Sequence, residues 1–458
     1  MESMKPHIFR QYDIRGIVGE DLDAGITEAV GRAFASIVRA HTGKATPKIA
    51  VGNDNRLTSP ELVAGLVAGI RAAGVDVLQV GTVPTPVLYW TEAVYGTDAG
   101  VQITGSHNPP EWNGVKMSLG RSALYGDAIQ EIRTRIVNGD MDSGSGSHEE
   151  EEVLDRYVTD ISERLSLTTD MTVAVDAGNG VGALVAVPLL EALGATVTPL
   201  FCDSDGTFPN HHPDPTVDKN LEDLIRAVRK TPHDLGVAFD GDADRIGAVD
   251  EKGNIVRGDI LLLLYGLDLL DKLGSGQKLI FDVKCSQVLP EVFAAAGGVP
   301  IMWKTGHSLI KKKMKETGAL LAGELSGHIM VADDYFGFDD ALYDACRLMA
   351  IVSRSGRPLS EMVAEFPVYV STPELRIDVT EEQKWDLVEK AVAHFSKSHD
   401  VIDVDGARVQ FGDGWALLRA SNTQPAIVAR VEAKTAERLQ EIREEVNAWL
   451  GTHGVSLP

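Results

Sequence analysis

Apolar and polar positions fall into an order that repeats three times along the chain. A near-continuous apolar run starts at Lys48-Ile-Ala-Val-Gly. It is followed by a polar loop containing Asp54, a helix-period run from Pro60 to Gly74, and a second apolar run, Val75-Asp-Val-Leu-Gln-Val. The same order returns at Thr172-Val-Ala-Val-Asp, residues 183–194 and Ala195-Thr-Val-Thr-Pro-Leu. It returns again at Lys278-Leu-Ile-Phe-Asp, residues 288–298 and Val299-Pro-Ile-Met-Trp. Runs apolar on both faces, alternating with helices, predict α/β layers with parallel pairing. Glycines closing the helical runs suit left-handed C-terminal caps.

Beyond Phe366-Pro-Val-Tyr-Val the pattern changes. Leu375-Arg-Ile-Asp-Val predicts a strand and residues 381–396 a helix. Strands follow at Ala407-Arg-Val-Gln-Phe, Trp415-Ala-Leu-Leu-Arg and Ile427-Val-Ala-Arg-Val, then a helix over 436–450. Alternation in these strands predicts an antiparallel sheet buried on one face. Asn138-Gly-Asp-Met-Asp-Ser-Gly-Ser-Gly-Ser-His-Glu-Glu-Glu-Glu reads as a linker leading into a helix, and Glu251-Lys-Gly-Asn as a turn. The fold class that results is α/β: three related mixed-sheet α/β domains (1–148, 149–252, 253–366) plus a smaller C-terminal α+β domain (367–458).

Composition narrows the function classes more than the fold. The chain has 458 residues, 44% hydrophobic and 24% charged, as globular proteins do. Its longest apolar stretch, Ile260 to Leu270, is broken by Gly266 and Asp268. It falls short of the ~20 residues of a membrane helix. The first residues, Met1 to Gly16, lack an apolar h-region, so a cytoplasmic location is expected. Cys202, Cys285 and Cys346 are far apart and odd in number, which suits reduced thiols. A net charge of −24 argues against nucleic acid or an anionic membrane as partner. A phosphate ligand stays possible, since surface charge is screened beyond ~8 Å, provided Arg and Lys gather at its site.

Four stretches carry candidate chemistry. In Thr104-Gly-Ser-His-Asn-Pro-Pro, Ser106 sits at a strand end with an expected exposed hydroxyl, a nucleophile or phosphoryl carrier rather than a plain turn. A serine in that role needs a base, a metal or prior phosphorylation; a G-x-S-x-G elbow is absent. In Phe239-Asp-Gly-Asp-Ala-Asp-Arg, Asp240, Asp242 and Asp244 share one side if the backbone stays extended. Their mutual repulsion calls for a hard cation, Mg2+ or Ca2+, unless the turn is simply solvated. An EF-hand does not fit, because Arg245 stands where that loop needs Gly. In Gly323-Glu-Leu-Ser-Gly-His, Glu324 and Ser326 would point the same way from an extended loop and could grip sugar hydroxyls; a surface turn is the plainer alternative. In Arg419-Ala-Ser-Asn-Thr-Gln-Pro, an Arg and several donors suit an anion. Arg15, Lys116, Arg245, Lys284 and His307 are further loop cations, each open to a surface role. The basic run Lys311–Lys315 reads as an exposed helix face.

These four loops, in this order along the whole length, resemble the α-D-phosphohexomutase superfamily, most of all its bacterial phosphomannomutase/phosphoglucomutase branch. The resemblance implies an isomerase that interconverts hexose 6-phosphate and hexose 1-phosphate, of mannose or glucose, with four domains around a central cleft. It implies that Ser106 carries a phosphoryl group and that Ser106, Asp240, Asp242 and Asp244 hold Mg2+. It implies that Glu324 and Ser326 bind sugar hydroxyls with His328 nearby, and that Arg419, Ser421, Asn422 and Thr423 bind the phosphate not being transferred. Tyr12, Arg15, Lys116, Arg245, Lys284 and His307 match further site positions, with Lys116, Arg15 and His328 the candidates for proton traffic. It further implies a hexose 1,6-bisphosphate as intermediate and activator, and a monomer or dimer is expected. Leu325 departs from the Met of the mannose/glucose branch; glucosamine mutases usually carry Gln there and Ala in place of Gly105, so both positions lean away from glucosamine. A Mg2+-dependent phosphatase with an aspartate nucleophile, a phosphoglucosamine mutase and a non-catalytic sugar-phosphate-binding regulator stand as alternatives.

Overall fold

A computed structural model describes residues 4–422 and 424–458. Two compact units result: one runs to Leu261 and includes Ser326–Val363, the other comprises Leu262–Leu325 and Ala364–Pro458. Strands are numbered in chain order.

The first unit holds two mixed sheets. In the first sheet, β1 (Ile14–Ile17), β2 (Lys48–Asn53), β3 (Asp76–Thr82), β4 (Ala99–Ile103), β5 (Trp112–Leu119) and β7 (His148–Glu150) lie in the order β1-β5-β4-β2-β3-β7, and β6 (Ser122–Ala123) pairs with β5. β2, β3, β4 and β7 run parallel, whereas β5 is antiparallel to both β1 and β4. β2 and β4 are apolar on both faces because helices cover both. On one face Val51, Ile103 and Val115 pack with Val30, Phe34, Leu66 and Ile70 of helices Ala24–Thr42 and Ser59–Ala72. Asp23 caps the first of these helices by accepting from the Ile26 N–H, and Gly43 ends it at φ +64°.

The second sheet has the order β12-β11-β10-β8-β9: β8 (Thr172–Asp176), β9 (Thr196–Leu200), β10 (Leu235–Phe239), β11 (Ile246–Asp250) and β12 (Ile255–Val256). β8, β9 and β10 are parallel, and β11 returns antiparallel to β10. The segment returning to this unit contains β16 (Ile329–Val331) and the buried helix Ala341–Ser355.

In the second unit, β13 (Lys278–Asp282) lies between β14 (Val299–Trp303) and β15 (Leu321–Gly323), all parallel. The C-terminal sheet is antiparallel in the order β17-β22-β21-β20-β19, with β18 also on β22. Its strands are β17 (Val370–Ser371), β18 (Leu375–Asp378), β19 (Asp400–Ile402), β20 (Ala407–Gln410), β21 (Gly414–Ala420) and β22 (Ala426–Ala433). The fold class holds: α/β layers followed by an antiparallel α+β unit.

Two expectations need correction. The stretch 140–148 is no free linker: Gly144 and Gly146 donate to Ala72 and Arg71 carbonyls, and β7 adds a parallel strand to the β3 edge. Small residues made this close approach possible; a methyl group at Gly146 would sit 1.8 Å from the Val75 oxygen. The C-terminal sheet is not one-faced, because β21 and β22 are buried throughout. Helices Glu381–Phe395 and Ala436–Gly451 cover one face, while Trp415 and Leu417 on the other pack with Val283. The Ile260–Leu270 run lies in helix Gly258–Leu273, and no described helix is long and apolar enough to cross a membrane.

Candidate active site

β4 delivers its C-terminal end to the turn 104–111, from which β5 leaves antiparallel. Ser106 takes a left-handed conformation, φ +50°. Its N–H donates to Thr104 Oγ1 at 2.8 Å, and the Asn108 N–H closes the turn on the Gly105 carbonyl at 3.0 Å. The Ser106 hydroxyl is buried rather than exposed, at 2%. It donates to Asp240 Oδ2 at 3.1 Å and lies 3.1 Å from His107 Nδ1.

Asp240 follows directly on β10. The expected extended backbone is not what brings the three carboxylates together. A tight turn does so, with Ala243 at φ +59° and the Ala243 N–H on the Asp240 carbonyl. Asp240 Oδ1 accepts the N–H groups of Asp244 and Arg245 at 3.1 and 3.2 Å, locking the turn. Asp240, Asp242 and Asp244 are fully buried, and each presents an oxygen within 4.8 Å of the others.

Lys116, on β5, bridges Asp242 Oδ2 at 2.7 Å and Asp244 Oδ2 at 2.6 Å. Thr85 also donates to Asp242 Oδ2, at 2.6 Å. The second oxygens, Asp242 Oδ1 and Asp244 Oδ1, are buried and have no hydrogen-bond partner. Buried, unpartnered carboxylate oxygens are costly unless a cation meets them. Oxygen-only donors at this spacing suit a hard divalent ion, so the triad can hold a metal. The titration behaviour follows from the same geometry. Burial, then the charges of Asp244 and Asp242, push the Asp240 carboxyl well up. Burial acts the same way on Asp242, but Lys116 and Thr85 outweigh it and hold that carboxyl below the usual range. Burial opposes the charge on Lys116, yet the carboxylates of Asp242 and Asp244 raise its pKa well above normal.

Arg15 and Lys116 were expected on loops; both are on strands, where pairing with a neighbour fixes their direction. Arg15 pairs with Asp13, and half-buried Tyr12 precedes it. Arg245 Nε donates to His328 Nε2 at 2.9 Å, and His328 Nδ1 faces Asp339 Oδ2 at 3.0 Å and Asp244 Oδ1 at 3.6 Å. Ser326 lies in the turn just ahead of this histidine. The first unit therefore brings Ser106, the aspartate triad, Lys116, Arg245 and His328 together.

The second unit gathers the rest. Glu324, after β15, accepts the Gly306 N–H at 2.9 Å, ahead of His307 at the start of helix His307–Thr317. The residue after Glu324 is in a turn, not the expected extended loop. Asp282 accepts from Thr305 at 2.8 Å and from the Leu325 N–H at 3.2 Å. Lys284 lies 3.3 Å from Glu374 and 3.9 Å from Asp282. Burial works against its charge, but Glu374, Asp282 and Glu324 raise its pKa. Arg419, at the end of β21, pairs with Asp405 at 2.5 Å, and Asp405 also accepts the Thr305 N–H. Lys384 props the next turn by donating to the Ser421 and Gln424 carbonyls. Asn422 is in this turn; Thr423 lies outside the described residues.

Sequence reasoning missed Thr85, His107, Asp339 and Arg56, all in direct contact with the site's groups. Only His107 gave a signal, as a histidine next to the expected carrier. Burial, with Arg245 and Arg15 nearby, pushes its pKa well down, so it is a neutral imidazole.

Family models for phosphoglucomutase/phosphomannomutase match in series: alpha/beta/alpha domain I over residues 6–142, domain II over 155–253, domain III over 257–369, and the C-terminal domain over 374–448. A phosphomannomutase/phosphoglucomutase of Pseudomonas aeruginosa is 46% identical over 453 residues, 98% of this chain and 97% of that one. A phosphoglucomutase of Neisseria meningitidis is 44% identical over the same shares. A crystal structure of a phosphoglucomutase/phosphomannomutase family protein from Burkholderia thailandensis superposes with TM-score 0.93 at 44% identity, covering 99% of this chain and 100% of that one. With the four domains, the buried acidic triad and identity of this extent in agreement, the chain belongs to the phosphoglucomutase/phosphomannomutase family.

Proposed function

We propose that this chain is a hexose phosphate mutase that interconverts the 6-phosphate and 1-phosphate of mannose or glucose, with Ser106 as phosphoryl carrier. The observation that carries the reading is the Ser106 hydroxyl 3.1 Å from the Asp240 carboxylate, beside a triad with two unpartnered oxygens. Relatives named phosphomannomutase/phosphoglucomutase at 46% identity support it.

In the forward half-reaction the bond between phosphorus and Ser106 Oγ breaks as a bond from phosphorus to a free sugar hydroxyl forms. That hydroxyl's proton passes to a basic side chain, and the product is a hexose 1,6-bisphosphate. The bisphosphate then presents its other phosphoryl group: a bond from that phosphorus to Ser106 Oγ forms as its bond to the sugar oxygen breaks, and the sugar oxygen regains the proton from the basic side chain. A Mg2+ ion held by Asp240, Asp242, Asp244 and an oxygen at Ser106 would supply charge neutralisation at the transferred group. Lys116, held protonated by two carboxylates, suits charge stabilisation. His328, oriented by Asp339 and Arg245, suits proton transfer, with Arg15 the third candidate.

Glu324 and Ser326 take ring hydroxyls, which change least when the sugar reverses. Arg419, Ser421, Asn422 and Thr423 take the phosphate not being transferred, and Tyr12, Arg245, Lys284 and His307 complete the contacts. A phosphoglucosamine mutase is not favoured: a relative from Methanopyrus kandleri named as a probable one is 35% identical, below the 46% and 44% of the others. Intact-mass measurement should find one phosphate, mapped to Ser106 by peptide sequencing. Coupled assays with a trace of bisphosphate should turn over mannose and glucose phosphates; release of inorganic phosphate as fast as isomerisation would overturn the reading.

A further inference from the structure

Arg56 is fully buried in the loop after β2, and it spends all five of its N–H bonds inside the protein. Nη1 donates to the Pro109 carbonyl at 2.6 Å and the Trp112 carbonyl at 3.0 Å. Nη2 donates to the carbonyls of Ser106 at 2.8 Å and Asn108 at 2.6 Å. Nε donates to Asp54 Oδ2 at 3.0 Å. Asp54 is itself fixed: it accepts from Ser59 Oγ at 2.6 Å, the Arg56 N–H at 3.1 Å and the Gly105 N–H at 3.1 Å. The Phe208 ring covers the guanidinium at 5.0 Å.

Three carbonyls of the turn and that of Trp112, where β5 begins, thus converge on a single planar fork. No donor is left over for a phosphate, so this buried arginine is not a substrate ligand. The turn it grips holds Ser106 at φ +50°, a conformation that a residue with a side chain keeps only where its surroundings impose it. Gly105 is part of the same device. A methyl group there would lie 2.5 Å from Arg56 Cζ and Nε and 2.8 Å from the Trp112 oxygen. Glycine at 105 and arginine at 56 are therefore one steric unit.

We infer that Arg56, with Asp54 and Gly105, is the positioning residue that aims the Ser106 hydroxyl. The inference rests on the carrier role of Ser106 for its kinetic consequence, but not for the clamp itself. Lysine keeps the charge yet offers three donors at a point, and cannot satisfy four carbonyls spread around a plane.

The test compares wild type, Arg56→Lys, Gly105→Ala, Arg56→Ala and the Arg56→Ala/Gly105→Ala double variant. Steady-state kinetics are read beside amide hydrogen exchange, with circular dichroism as a check of folding. In Arg56→Lys, kcat should fall roughly 10- to 100-fold while the KM for hexose phosphate moves less than about 3-fold. Exchange should quicken at least about 10-fold in peptides covering 104–112 and little elsewhere. Gly105→Ala should do the same with Arg56 intact, and it decides the matter if the Arg56 variants do not fold. The double variant should lose much less than the product of the two single losses, because the methyl group then meets no guanidinium. Wild-type kcat and exchange in both Arg56→Lys and Gly105→Ala would overturn the inference. So would a raised KM with kcat and exchange unchanged, which would make Arg56 a phosphate ligand. If wild-type Ser106 carries no phosphate, the carrier reading falls, and the exchange arm alone still decides the clamp.

Discussion

At the scale of single residues, the site depends on where two oxygens and one amine sit. Lys116 takes one oxygen from each of Asp242 and Asp244 and leaves the other without a hydrogen-bond partner. An amide at 242 removes one charge from the triad. Asp242→Asn should therefore raise the Mg2+ concentration needed for half-maximal activity by at least about 10-fold. Mg2+ titration of the coupled assay is the check, and an unchanged Mg2+ requirement would remove Asp242 from the metal site. Ser106→Ala should lose at least about 1,000-fold in kcat together with the phosphate expected by mass. The residue types of this site were plain in the sequence, because Ser106 and the three aspartates lie in short contiguous stretches. Their environment was not. Ser106 reads as exposed from its loop, yet the loop bearing Asp240 closes over it; a methyl group at Gly241 would sit 2.4 Å from the Ser106 carbonyl oxygen.

At the scale of elements, periodicity located the repeated strands and helices well, since burial on both faces leaves long apolar runs. It failed where backbone geometry, not hydropathy, makes the element. The strand β7 consists of His, Glu and Glu, all exposed, and is a strand only because the β3 edge offers it hydrogen bonds. Its approach depends on a glycine, so Gly146→Ala should destabilise the first sheet by about 1–3 kcal/mol. Denaturant unfolding measures this, and wild-type stability would show that the 140–148 segment can shift freely. The turn after β21 is an element of the same kind, built from a propped backbone rather than an apolar pattern. Arg419→Ala should raise the KM for hexose phosphate at least about 10-fold and change kcat less, because in the proposed role it removes a charge-assisted bond to the phosphate not being transferred. An unaltered KM would contradict that role.

At the scale of the whole molecule, buried charge is concentrated beyond the site itself. Asp340 caps helix Ala341–Ser355 and accepts from the Tyr157 and Tyr335 hydroxyls and the Tyr343 N–H. Burial nevertheless pushes its carboxyl up to about 6, despite those three donors. A carboxyl with a raised folded-state pKa binds its proton more tightly folded than unfolded. Its contribution to stability is therefore largest below about pH 4, declines by up to about 1.4 kcal/mol per pH unit towards pH 6, and is level above about pH 7. The melting temperature of wild type relative to that of Asp340→Asn should fall across that window and stay level beyond it; a wild type that gains on the variant as pH rises would refute the assignment. The sequence by itself determined the repeating α/β order, the acidic triplet, the Ser106 loop and the family they resemble, because each is written in neighbouring residues or in a short period. Only the tertiary structure decided that Arg56 grips the Ser106 turn, that Asp339 faces His328, and that Lys116 divides the oxygens of two aspartates. Those partners lie 11 to 128 residues apart in the chain, and a side chain's partner at that distance is set by how strands and turns pack, which leaves no local trace in composition or spacing.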